Sequence, residues 1–268
     1  MRLRSISNGV KKIIIANWKM NPKTARDAVR LAGVVARGVK NVKNVEVVLA
    51  PPFVFVPILY PKPYTLNPNL KLGAQDVFYE KKGVYTGEIS PLQLKAYGVR
   101  LVIVGHSERR ALGETDEIVN KKLKAVLSES MRAVLCVGEK ERTKDEAFPQ
   151  IVRDEIHSGL RKIKKSLFKN LIIAYEPIWA IGGGGRRHHG KADTPRDVYE
   201  MSLMIRRELY RMLGRHIALK IPILYGGSVD EKNAKEFVKE GGVDGLLVGG
   251  ASLNHKKFVR IVKDISAI

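Results

Sequence analysis

LIIAYEPIWAIG, residues 171–182, is the stretch on which the reading of this chain turns. Leu171 to Tyr175 are apolar without a break. A strand with one wet face would alternate, so a continuous run of this length suits a parallel strand buried on both faces. Glu176 follows at once, Pro177 stiffens the exit, Ile178 to Ile181 continue apolar, and Gly182 opens a run of glycines. Abstraction of a proton beside a carbonyl needs a base partly stripped of water and a loop that opens for substrate and then shuts. A lone Glu at a strand end is ordinarily a solvated charge. The catalytic reading therefore depends on what surrounds it.

The same kind of apolar run recurs along the chain. Strands are predicted over 12–16, 46–50, 71–74, 100–104, 132–137, 171–175, 221–225 and 245–248. Helices are predicted between them over 24–39, 115–130, 146–166, 194–213, 230–240 and 255–265, with Thr115, Thr194 and Asp230 as starting caps. Six prolines between Pro51 and Pro68 make the second helix short or displaced. Alternating strands and helices without a low-complexity linker predict one α/β domain over 1–268, preceded within it by a short basic extension at 1–10. Eight such units favour a closed (β/α)8 barrel over an open doubly wound sheet, and 268 residues suit that architecture.

In such a barrel, functional groups gather in the loops that follow the strands. The polar residues obey this rule. Asn17 and Lys19 follow the first run, Gln75 the third, His106, Ser107 and Glu108 the fourth, Glu139 the fifth and Glu176 the sixth. YGGSV at 225–229 and GLLVGGAS at 245–252 put glycine turns after the last two. Glycine lets backbone N–H groups approach an oxyanion, and barrels often hold phosphate at this point. Glu176 supplies a base; Lys19, His106 and Asn17 supply groups that hold enediolate oxygens. Lys19 could instead be a salt-bridge partner of Glu108. No CxxC, HxxxH, GxGxxG or GxxxxGK[ST] run appears, so neither a metal nor any other cofactor is expected.

The formal net charge of +21 permits attraction to nucleic acid or anionic membranes and draws anionic substrates inward. The cations are spread at helical spacing, and aromatic residues do not alternate with them, so nucleic-acid binding is permitted but not predicted. No apolar run approaches the roughly 20 residues of a membrane span. The single cysteine, Cys136, fits a reducing compartment, and a cytoplasmic location is expected.

ANWKMN at 16–21, GAQD at 73–76, YTGEIS at 85–90, VGHSERR at 104–110, CVGE at 136–139, AYEPIWAIG at 174–182 and the two glycine turns resemble, in order, the signature blocks of the triosephosphate isomerase family. The resemblance implies interconversion of dihydroxyacetone phosphate and glyceraldehyde 3-phosphate, in glycolysis and gluconeogenesis. It implies that Glu176 moves the proton between carbons, a neutral His106 polarises the carbonyl, Lys19 balances charge and Asn17 binds a substrate oxygen. It gives the phosphate to the backbone N–H groups of Gly182, Ser228, Gly249 and Gly250, and makes Ile181 and Leu247 an apolar clamp over Glu176. It also implies a mobile lid and a homodimer in which the 75–86 loop reaches the partner's site, with Thr86 near the partner subunit's Asn17.

The lid departs from the family pattern. Gly182 leads into GGGRRHHGKADTP, about six residues longer than usual, at a closure entropy that grows only with the logarithm of length. Four consecutive glycines have more freedom to lose on closing, so a less populated closed state is expected, with more loss of the enediolate to phosphate elimination. The paired His188 and His189 on this tip make poor metal ligands. Two rival readings stand beside the isomerase: a basic platform for nucleic acid or an anionic partner, and a barrel acting on a related sugar phosphate.

Overall fold

The computed structural model describes residues 11–60, 67, 69–142, 148–180 and 193–268. Eight parallel strands close into a barrel in chain order: β1 Lys12–Asn17, β2 Val45–Ala50, β3 Leu70–Ala74, β4 Val99–Val104, β5 Arg132–Val137, β6 Leu171–Tyr175, β7 Ile223–Tyr225 and β8 Gly245–Val248. β8 returns to β1 with Ile13 opposite Gly245. This is the predicted (β/α)8 fold, and it matches the eight expected runs within two residues at each end. β7 starts two residues late because Pro222 has no N–H for the ladder; its carbonyl instead accepts the Ile173 N–H at 3.0 Å.

Around the barrel lie α1 Ala25–Gly38, α2 Val56–Leu59, α3 Pro91–Ala96, α4 Ser107–Ala111, α5 Asp116–Ser128, α6 Gln150–Leu160, α7 Pro195–Leu213, α8 Arg215–Ala218, α9 Ala234–Lys239 and α10 His255–Ser266. Thr24, Thr115 and Thr194 cap their helices as side-chain acceptors. α2 is a single turn, as the prolines require. Two predicted helices need correction. The one expected over 146–166 ends at Leu160, because left-handed Lys162 turns the chain so that Ile163 and Phe168 can bury from a following 3-10 segment; 146–147 lie outside the described residues. The one expected from Asp230 starts at Ala234, because the Asp230 carboxylate accepts the Lys232 and Asn233 N–H groups in a tight turn.

Side chains of successive strand residues face opposite ways. Ile13 and Ile15 of β1, Leu101 and Ile103 of β4, Val134 and Cys136 of β5, and Ile172 and Ala174 of β6 fill the barrel interior. Ile14, Ala16, Leu135, Leu171, Ile173 and Tyr175 pack outward against the helices. Continuing that alternation past the strand ends puts Asn17, Gly138, Glu176 and Gly226 on the inner side of the rim, and Glu139 on the outer side. Among the described residues no helix is long and apolar enough to cross a membrane.

Candidate active site

A cavity of about 130 Å³ opens at the C-terminal end of the barrel. Asn17, Lys19, His106 and Glu176 line one part of it, and Gly226, Gly227, Ser228, Gly249 and Gly250 another; Leu247 also faces it. Of the site residues expected from sequence, Gly182 lies outside the described residues, as does Ile181 of the apolar clamp. All the others converge.

Glu176 is 2% exposed. One carboxylate oxygen, Oε2, accepts the Ser107 backbone N–H at 3.2 Å. The other, Oε1, stands 3.4 Å from His106 Nε2. Two glycines make room for this residue. A Cβ at Gly138 would sit 1.8 Å from the Glu176 carbonyl oxygen, and one at Gly226 would sit 2.9 Å from its Cγ.

His106 breaks the alternation of β4, which would leave it pointing outward. Gly105, at φ +72°, turns the backbone and brings the imidazole into the rim. His106 then caps α4, its Nδ1 accepting the Glu108 N–H at 3.1 Å. A ring nitrogen that accepts carries no proton, so in the neutral ring the proton sits on Nε2, which faces Glu176.

Lys19 holds a left-handed backbone, φ +50°. That strain is braced from two sides: Asn17 Oδ1 accepts the Lys19 N–H at 3.1 Å, and Gln75 Nε2 donates to the Lys19 carbonyl at 2.9 Å and to the Ala50 carbonyl at 2.8 Å. Its ammonium meets Glu108 Oε1 at 2.6 Å. The salt-bridge reading and the cavity reading of Lys19 are thus both true. Gln75 was legible only as a polar strand-end residue; its bracing role carried no sequence signal.

The glycine turns are held from behind. Ser252, wholly buried, gives both its N–H (2.9 Å) and its hydroxyl (2.7 Å) to the Gly249 carbonyl, and Asn233 Nδ2 donates to the Ser228 carbonyl at 3.2 Å. Glu139, read from sequence as a rim residue, turns outward, where its Oε1 accepts the Tyr175 hydroxyl at 2.7 Å and the Trp179 indole N–H at 2.9 Å. Burial pushes the Tyr175 hydroxyl far above its usual range. Among the described residues no group of three or more His, Cys, Asp or Glu could hold a metal ion. The arrangement can bind an anion at its glycine end and move protons between a carboxylate and an imidazole at the other.

The triosephosphate isomerase family model matches residues 12–265. A triosephosphate isomerase of Carboxydothermus hydrogenoformans is 42% identical over 94% of this chain and 98% of its own length. One of Dehalococcoides mccartyi is 43% identical over 97% of this chain and 98% of its own, and one of Thermoanaerobacter pseudethanolicus 42% over 94% and 98%.

Proposed function

Because the chain belongs to the triosephosphate isomerase family, we propose that it is an intramolecular isomerase interconverting dihydroxyacetone phosphate and D-glyceraldehyde 3-phosphate through an enediolate. The reading rests above all on one observation: a buried carboxylate, Glu176, faces the Nε2 of His106 within a cavity that also holds Lys19, Asn17 and two glycine turns.

The phosphate sits at the glycine end, on backbone N–H groups of Ser228, Gly249 and Gly250, with Gly182 completing the grip. Glu176 takes a proton from the carbon beside the carbonyl, and the electron pair left behind forms the enediolate. The Nε2–H of His106 supports the developing oxyanion, the Lys19 ammonium lowers its energy further, and Asn17 binds a substrate oxygen. Glu176 then returns the proton to the neighbouring carbon, while His106 Nε2 gives its proton to one oxygen of the enediolate and takes the hydroxyl proton of the other, so that the carbonyl moves by one carbon. The bond to Ser107 N–H holds the base in place between these events. Leu247, 3% exposed against the cavity, keeps water from it.

The acting form is a homodimer joined through the 75–86 loop, working in the cytoplasm in glycolysis and gluconeogenesis. Residues 81–86 of that loop, and Gly87 and Glu88 after it, are all exposed, Val84 fully so, and Met20 beside the site is 93% exposed. Apolar groups this bare, on the loop and beside the site, call for a cover.

A coupled assay with glyceraldehyde 3-phosphate on wild type and Glu176→Gln tests the reading. A general base is worth about 10²–10⁴-fold, so kcat should fall by at least that order with the fold intact. An unchanged kcat would remove Glu176 from the mechanism.

A further inference from the structure

α6 is amphipathic, and its buried face runs Val152, Glu155, Ile156 and Gly159. A glutamate on that face is out of keeping with its neighbours. It is 4% exposed, and its contacts are specific. Oε2 accepts the Gly138 backbone N–H at 2.8 Å. Oε1 lies 3.4 Å from Arg110 Nε. Arg110 in turn donates from Nε to the Gly105 carbonyl at 2.9 Å and from Nη1 to Asp116 at 2.6 Å.

Both ends of this chain of contacts stop at the reacting groups. Gly138 packs so closely on the Glu176 carbonyl that no side chain fits between them. Gly105 is the turn that swings His106 into the rim. We propose that Glu155 is a positioning residue for the isomerisation: through Gly138 and Arg110 its carboxylate ties the turn beneath Glu176 to the turn that carries His106. The inference rests on the isomerase reading above and adds a residue that touches no substrate.

Its charge enters as well as its grip. Arg110 from α4, Asp116 from α5, and Glu176 beyond β6 are the charged groups that face it, and Cys136 of β5 feels the same field. Burial raises Glu155 to about 7, with Arg110 pulling the other way and Asp116 and Glu176 adding to the rise. Above that pH a negative charge at 155 offsets Arg110 and helps Glu176 hold the proton it takes from carbon. Below it, Asp116 alone offsets Arg110 and that help is lost.

The test is the pH profile of kcat and KM, from pH 5.5 to 9, for wild type, Glu155→Gln and Glu155→Leu. Gln keeps an acceptor for Gly138 and loses the charge; Leu loses both. In wild type kcat should show an inflection near 7. In Glu155→Gln the inflection should vanish: kcat about three- to tenfold below wild type at pH 8.5, and equal to it at pH 5.5. Glu155→Leu should be slower than Glu155→Gln at every pH. KM should move less than twofold in both, because the glycine turns are untouched. A Glu155→Gln deficit that is the same at all pH values, or no deficit at all, overturns the inference. If wild type itself shows no turnover, it is the isomerase reading that falls, and the two failures cannot be confused.

Discussion

Asp193 stands just before α7, 8% exposed, with Oδ1 accepting the Thr194 N–H at 3.1 Å and the Tyr225 hydroxyl hydrogen-bonding its carboxyl. Burial, and after it the charge of Asp197, raise its carboxyl from 3.8 to about 7. The folded state therefore binds this proton more readily than the unfolded chain does. Between about pH 4 and 7 stability falls as pH rises, and above 7 the cost of a buried charge is fully present. Asp193→Asn keeps the Thr194 bond and stays neutral, so it should gain stability on the order of a few kcal/mol at pH 8 and none at pH 4. Urea denaturation at the two pH values measures this; a gain independent of pH would mean the carboxyl does not titrate as argued. At this scale Asn17, Lys19, His106 and Glu176 were legible because each is polar and directly follows an apolar strand. Glu155 was not. It sits inside a helix whose flanks are rich in charge, and its difference from Asp154 shows only once one knows which face of α6 is buried.

The elements follow from hydrophobic continuity, and their ends from groups that are harder to read. All eight strands were visible because residues buried on both faces leave an unbroken apolar run. The short helices α3, α4 and α8 were not, since fewer than two turns show no period; α4 exists because His106 and the Glu108 N–H close its first turn. The alternation of the strands also explains why Glu176 points inward and Glu139 outward. It leaves the turn after β5 as the support of Glu176, the proposed base, and that turn can be tested. An ideal Cβ at Gly138 falls 1.8 Å from a backbone oxygen, which cannot rotate away as a side chain would. Gly138→Ala must push the two turns apart, and a displacement near 1 Å at a reacting group can cost about 10² in rate. Loss of kcat on that order, with circular dichroism still showing the native helix content, is the expected outcome. Near-normal kcat would show that the turn has slack and that the base is held elsewhere.

For the whole molecule, two properties pull against each other. The exposed 81–88 segment, with Val84 at its tip, asks for a partner surface, whereas each chain carries a formal net charge of +21. Two such copies repel at low ionic strength, and screening over a Debye length of about 10 Å at 0.1 M relieves that repulsion. The same charge speeds the encounter with a dianionic substrate, an advantage that salt removes. Raising salt from about 20 mM to about 300 mM should therefore tighten the proposed dimer while lowering kcat/KM for the dianion. Ordinary charge-steered interfaces behave oppositely, weakening with salt, so the direction is diagnostic. Val84→Glu separates the contributions: a fully exposed position costs the isolated chain little, but a carboxylate in an apolar contact should shift sedimentation toward monomer at every salt concentration. A wild-type dimer that weakens with salt, or a Val84→Glu chain that dimerises as before, would move the interface away from this loop.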